Sequence, residues 1–263
     1  MPEFHFDGEK YRASSAPMRS WGRSALSDLA FSGDERVVDL GCGSGELASE
    51  MADRVPQGKV LGLDANESMI RAAREKHQKP NLSFAVSDIR ELALLNEVDL
   101  FFSNATLHWI KEHDRLLAAL YRGLAPGGRA RLSFAGRGNC PHFFAIVKDI
   151  SAAAPFAPAF AGFVWPWYTP GPEEYREKVS RLPFSSARVW EETISQDFPE
   201  EKALLGWLDQ PALVPFQTHL AKRAPELSAG FRKQAAERMT QVSRQADGSF
   251  RETFIRIHAL LVK

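Results

Sequence analysis

The sequence predicts an α/β protein: a doubly wound, seven-stranded, largely parallel sheet carrying a mainly helical cap. Three observations support this. Short apolar runs alternate with amphipathic helical patterns through the first half, a glycine-rich turn joins the first run to the helix after it, and the alternation then gives way to an aromatic stretch broken by prolines. Strands separated by helical crossovers pair in parallel, because an antiparallel pair needs only a hairpin.

The elements follow in order. Residues 1–11 mix His, Asp, Glu and Lys and lack the basic-then-apolar pattern of a signal peptide. Residues 18–31 carry Trp21, Leu26, Leu29 and Phe31 and run into Ser32-Gly33, predicting a helix. Strands are predicted at 37–40, 60–63, 82–86, 98–102 and 130–134, bounded by turn signals such as Gly41, Gly58 and Pro126-Gly127-Gly128. Helical patterns at 46–54, 68–77 and 113–123 fall between them. Beyond residue 134 come a cap, a helix at 173–182, a strand at 187–196, a helical segment over 199–242 and a last strand at 252–262. The two late strands are expected as an antiparallel pair at the edge of a five-stranded parallel sheet.

The expected division is an N-terminal arm and helix over 1–33, a cofactor-binding core over 34–135 and a cap insertion over 136–186. Residues 187–263 then supply edge strands with inserted helices that complete core and cap. The most apolar stretch, 152–168, contains Pro155, Pro158 and Pro166, so it cannot be a continuous membrane-spanning helix.

Lys plus Arg and Asp plus Glu number 33 each, which leaves no diffuse positive field for nucleic acid or an anionic membrane. The partner expected is therefore a small molecule, and the protein a monomer or weak homodimer. The two cysteines, Cys42 and Cys140, have no metal-ligand spacing and cannot build a disulfide framework. No metal and a cytoplasmic location are expected.

The chemistry concentrates in Val37-Val38-Asp39-Leu40-Gly41-Cys42-Gly43-Ser44-Gly45, a strand running into a glycine turn that opens a helix. Alternate glycines permit positive φ and let a nucleotide-like ligand lie against the main chain. A dinucleotide fingerprint needs a third glycine where Glu46 stands. Asp39 at the strand end repels a pyrophosphate and suits the ammonium of a methionyl group. Asp64, closing the second strand, can accept both ribose hydroxyls, or it can cap the helix that follows. Asp88 stands where the sheet edge can hold an adenine amino group between Ile89 and Met69, or it can cap the turn after it.

These segments, with Phe102-Ser103-Asn104-Ala105-Thr106-Leu107-His108-Trp109 and Leu124-Ala125-Pro126-Gly127-Gly128, resemble the class I S-adenosylmethionine-dependent methyltransferases over roughly residues 34–134. That resemblance implies a Rossmann-like fold and S-adenosylmethionine as cofactor. It implies that Tyr11, Asp39, Gly41, Cys42, Gly43, Asp64, Ala65, Met69, Asp88, Ile89, Asn104 and Ala105 surround the cofactor, with Tyr11 closing over its carboxylate. The His108-Trp109 pair, Val189-Trp190-Glu191-Glu192-Thr193 and Leu205-Gly206-Trp207-Leu208 look like the trans-aconitate methyltransferases and related carboxylate O-methyltransferases. One departure is Val214, which aligns with an arginine of that family. Together with the aromatic cap, it favours an acceptor less polar than a tricarboxylate.

A carboxylate acceptor, ionised at neutral pH, needs no general base. His108 is then a pocket wall or a hydrogen-bond donor, and Trp109 packs over the sulfonium or in the core. His142, Trp165, Trp167, Tyr168 and Trp207 are candidates for the acceptor pocket, against the simpler reading of cap packing. His77, His113 and His219 read as solvated. The alternatives are O-, N- or C-methylation of another metabolite with His108 as base and, from another class, an NAD(P)-binding oxidoreductase.

Overall fold

A computed structural model describes residues 16–263. The described residues form two compact units, one of Ala16–Arg137, Trp167–Glu192 and Arg256–Lys263, the other including Gly138–Pro166 and Thr193–Ile255.

The first unit carries most of the sheet. Strands β1 (Arg36–Leu40), β2 (Lys59–Asp64), β3 (Leu82–Val86), β4 (Val98–Asn104) and β5 (Leu124–Ala135) are parallel. With β6 (Ser186–Phe198) and β7 (Phe250–Val262), the order is β3-β2-β1-β4-β5-β7-β6. The expected seven-stranded Rossmann-like sheet is thus present, with β7 antiparallel to β5 from Arg129↔Val262 to Ala135↔Arg256. β7 enters between β5 and β6, so β6 is the outermost strand.

Residue parity explains why helices cover both faces. In β1, Val37 joins one apolar cluster and Val38 the other, and in β4 Phe102 and Phe101 divide the same way. On one face, α1 (Ala16–Ser27), α2 (Glu46–Arg54) and α3 (Glu67–Lys76) supply Leu26, Met51 and Ile70. On the other, α4 (His113–Gly123) and α6 (Pro172–Ser180) supply Leu117, Leu120, Tyr175 and Val179, with α5 (Pro141–Ala152) lying between them in the chain. A strand buried on both faces is largely apolar, and in β1 only Arg36 is exposed while Asp39 is a buried acid near its carboxyl end. The order reverses between β1 and β4, and the crevice at their carboxyl ends is the usual ligand position in open α/β sheets.

One boundary differs from the sequence reading. Strand β5 starts at Leu124 and passes through Pro126-Gly127-Gly128, read above as a turn, with a register shift between Val98 and Leu100. Gly127 takes φ +76°, and a Cβ on Gly128 would lie 2.8 Å from the Val98 carbonyl oxygen. The two glycines therefore make a bulge rather than ending the strand.

The second unit holds α5, α7 (Glu201–Trp207), α8 (Val214–Arg223) and α9 (Ser228–Ser243). The helical pattern expected over 199–242 is three helices, interrupted near Pro211 and Pro225, which lack the amide hydrogen a continuous helix needs. Its core is aromatic: Phe216 stacks on Phe231 at 18°, and Phe160, Phe163 and Trp165 pack around them. No helix among the described residues is long and apolar enough to cross a membrane.

Candidate functional site

The carboxyl ends of β1, β2 and β4 converge on one loop. Gly41 and Cys42 donate their amides to the Leu63 carbonyl at 2.7 and 2.9 Å, which clasps the glycine turn to the end of β2. Gly41, Gly43 and Gly45 all take positive φ, at +75°, +53° and +85°. A Cβ on Gly43 would meet nothing within 4 Å, so the turn is open there. A Cβ on Gly41 would lie 2.2 Å from the Thr106 side chain, and one on Gly45 2.7 Å from the Phe84 ring. These two glycines are required for close packing, whereas Gly43 leaves room for a ligand.

Two acids face this turn. Asp64 accepts from the Gly43 amide at 2.9 Å and from the Asn66 amide at 2.8 Å, bracing the loop through both oxygens. It does not cap α3; Asn66 does, accepting from Ser68 and Met69. Asp39 is 2% exposed, and its Oδ2 has no hydrogen-bond partner among the described residues. Burial, reinforced by the Asp64 charge, pushes the Asp39 carboxyl up to about 8. An enclosed, unpartnered carboxyl aimed at an open glycine turn fits a ligand cation, and an ammonium supplies one.

The same geometry opposes a phosphate. Glu46 occupies the first turn of α2, accepting from Ser44 Oγ at 2.7 Å and pairing with Lys76 at 2.7 Å. Its carboxylate sits where a pyrophosphate would seek the helix N-terminus.

Asp88 caps the short turn Ile89–Glu91 through the Arg90 amide and pairs with the Arg90 guanidinium at 2.5 Å. Its capping role is therefore present. Met69 and Ile89 are 4% and 3% exposed, and Ala65 is exposed at the end of β2. Cys42 is half-buried, and burial drives its thiol pKa up, so it stays protonated.

Beyond β4, Ala105 is held at φ +57°, uncommon for a residue with a Cβ, and its amide donates to the Ser133 carbonyl at 2.8 Å. The Asn104 side chain is committed, donating to the Met18 carbonyl and accepting from Arg256. Only its backbone is left to face a ligand. The turn Leu107–Trp109 follows, where the His108 carbonyl accepts from the Tyr168 amide at 2.8 Å and Trp109 packs on Trp167 at 5.4 Å. Four predicted residues, His108, Trp109, Trp167 and Tyr168, thus come together. The Tyr168 hydroxyl donates to Glu174 at 2.6 Å.

His108 Nδ1 is sealed from solvent and has no partner among the described residues. Burial, with the Arg256 charge next in size, drives this imidazole down to about 3, so it is neutral at physiological pH. His113 corrects the sequence reading: it is 1% exposed, not solvated. Its Nε2 lies 3.0 Å from the Leu107 carbonyl, which can only accept, so Nε2 carries the hydrogen and Nδ1 accepts from the Tyr175 hydroxyl at 3.2 Å. His77 and His219 are half-buried, and His219 stacks on Phe160.

The remaining candidates lie in the second unit. Trp207 is 4% exposed among Phe143, Phe198 and Phe254, which encloses its ring in the aromatic core. Trp165 packs on Phe163 and Phe216. His142 lies 3.2 Å from Glu252, whose buried carboxylate also accepts from the Phe143 amide at the start of α5. Tyr11 lies outside the described residues. Among the described residues no group of three or more His, Cys, Asp or Glu is placed to hold a metal.

Sequence reasoning passed over one residue of this region, Arg256. A single charge between Phe254 and Val262, the apolar part of β7, is the signal that could have drawn attention to it.

Comparison with known proteins bears on the same segments. A family profile described as a methyltransferase domain matches residues 37–128. The chain is 34% identical over 192 residues to a trans-aconitate 2-methyltransferase of Deinococcus radiodurans, covering 70% of this chain and 72% of that one. It is 28% identical to the protein of the same name from Rhizobium leguminosarum, over 92% of each. Among solved structures, phosphoethanolamine N-methyltransferase 2 of Haemonchus contortus with S-adenosyl-L-methionine gives a TM-score of 0.62 at 20% identity. That match covers 97% of this chain and 56% of the nematode protein, so the chain spans little more than half its length. A putative methyltransferase from Bacillus halodurans gives 0.60 at 15% identity, covering 93% and 99%. These structural likenesses establish the fold.

Proposed function

The chain belongs to the trans-aconitate methyltransferase family within the class I S-adenosylmethionine-dependent methyltransferases, and we propose that it methylates a carboxylate oxygen of a small organic acid. The observation that carries the choice of acceptor is His108. It stands in the turn after β4, and burial beside a cationic guanidinium holds it near 3, far too weak a base to deprotonate a hydroxyl or carbon acid at neutral pH. A carboxylate arrives already ionised.

In this reading Asp39 takes the cofactor's ammonium, and Asp64 offers its remaining lone pairs to the ribose hydroxyls. Gly41, Cys42 and Gly43 let the methionyl chain lie on the backbone. Ala65, Met69 and Ile89 border the adenine, and Asp88 stands near its amino group. Asn104 and Ala105 face the methionyl end through their backbone. When bound, the sulfonium supplies the electrophilic methyl group. The protein's own share is alignment and exclusion of water: Trp109, Trp167 and Tyr168 wall the acceptor side, and near-ideal alignment is worth about 7 to 11 kcal/mol. No nucleic-acid partner is invoked, and a monomer or weak homodimer is proposed, measurable by light scattering.

Labelled cofactor offered to mono-, di- and tricarboxylic acids, trans-aconitate among them, and to acids carried on thioesters is expected to yield product whose label is released by mild base, as esters require. Label that resists base indicates an ether or amine and rejects the ester. Replacing His108 with glutamine is expected to leave turnover within about tenfold, with a kcat that is flat between pH 5 and 8. A loss of 100-fold or more with cofactor affinity intact, a typical size for removing a general base, assigns the histidine that role instead.

A further inference from the structure

We propose that Arg256 is the residue that grips the acceptor, its guanidinium forming a charge-assisted hydrogen bond with an acceptor carboxylate at the carboxyl edge of the sheet. The inference rests on the carboxylate reading above and names the side chain that enforces it.

Register places Arg256 opposite Ala135, beside Ser133 and one strand from Asn104. The side chain is 3% exposed, yet it makes no ion pair among the described residues. Its Nε donates to Ser133 Oγ at 3.2 Å, and Nη2 donates to the same oxygen and to Asn104 Oδ1 at 2.7 Å. Nη1 has no hydrogen-bond partner among the described residues. The Trp21 ring lies 4.6 Å from the guanidinium carbon and holds its plane.

The nearby acids are held elsewhere and reach Arg256 only at a distance: Glu192, half-exposed, lies 2.9 Å from the neutral His258, and Asp28 pairs with Arg131 at 2.9 Å. Burial brings the Arg256 guanidinium down to about 9, with the Glu192 charge opposing that shift and the like charge of Arg131 adding to it, which still leaves it charged at neutral pH. A buried cation with no anion in contact is costly, and an anionic ligand lowers that cost. The neighbouring His108 is neutral, and no carboxylate touches Arg256 among the described residues, so a carboxylate entering here would be the first in contact with this guanidinium.

Two carboxylates can approach this guanidinium, the acceptor's and the cofactor's own, and the experiment separates them. Calorimetry on the full chain measures trans-aconitate binding in the presence of S-adenosylhomocysteine, and separately the binding of S-adenosylhomocysteine and of methylthioadenosine, which lacks the amino-acid tail. Arg256→Gln is expected to weaken trans-aconitate about tenfold or more, Arg256→Lys to restore most of that loss, and both to leave the two nucleosides within twofold. An unchanged acid affinity overturns the proposal, as does a loss for S-adenosylhomocysteine that spares methylthioadenosine, or failure of every acid in the panel to bind the unaltered protein. Acid that binds through Arg256 but is not methylated overturns ester formation and keeps the anion site. Acid methylated with the same KM by both proteins does the reverse. Should Arg256→Gln not fold, a chloride titration of the unaltered protein serves: acid affinity falls as chloride rises, while that for methylthioadenosine holds.

Discussion

Replacing Asp39 with asparagine is expected to weaken S-adenosylhomocysteine binding about 100-fold, because a buried charge pair that loses one partner costs several kcal/mol. The same substitution should change the stability of the ligand-free protein in the opposite sense. The folded-state pKa of Asp39 is raised from 3.8 to about 8, so between those values the native chain holds a proton that the unfolded chain has released. Stability therefore falls as pH rises from about 4 to 8, and asparagine, which cannot ionise, removes that part of the slope. Thermal melts of the ligand-free protein at pH 5 and pH 8 test this: the difference between the two should be smaller in the variant. An ammonium docking on Asp39 draws its pKa down, so binding at pH 7 expels protons. Calorimetry in buffers of different ionisation enthalpy should detect this release in the unaltered protein and a smaller one in the variant. Unchanged affinity in Asp39→Asn removes the basis for assigning the glycine turn to a cationic tail.

Replacing Gly41 with alanine is expected to destabilise the protein by about 2 to 5 kcal/mol and to abolish measurable cofactor binding. Two effects add: φ is +75°, where a Cβ costs roughly 1 to 2 kcal/mol, and the new methyl would fall 2.2 Å from the Thr106 side chain, an overpacking worth about 1 to 3 kcal/mol. Relief of the clash would displace the turn from the end of β2, where the Leu63 carbonyl holds it. Adding Thr106→Gly removes the steric part alone, so the double variant should recover a portion of the stability but not all of it. Urea denaturation of the four proteins measures that coupling. Gly43→Ala is the contrast, because nothing lies within 4 Å of the place its new Cβ would take and only the backbone cost at φ +53° applies.

Much of the proposed cofactor side lies in local sequence. Asp39, the alternate glycines and Asp64 lie within 26 consecutive positions whose order along the chain already places them at successive strand ends. The proposed acceptor side was not legible in the same way. Arg256 comes from the last strand and meets Asn104 across 152 residues, a pairing that no local spacing encodes. His113 reads as solvated because it opens a helix whose pattern looks amphipathic, whereas Tyr175 and the turn after β4 close over it. Pro126-Gly127-Gly128 reads as a strand boundary because bulges and turns draw on the same residues.

From the chain alone followed the parallel alternation of strands and helices, the reversed charge at the glycine turn that rejects a diphosphate, and the kinship with methyltransferases. These are written in short stretches, where backbone conformation and charge sign depend on neighbours in sequence. The protonation states of Asp39 and His108, the commitment of Asn104 and Asp88 to internal partners, and the buried guanidinium of Arg256 were decided by the folded structure. Each depends on how completely water is excluded and on which distant group supplies a charge, and both are properties of packing across strands rather than of order along the chain.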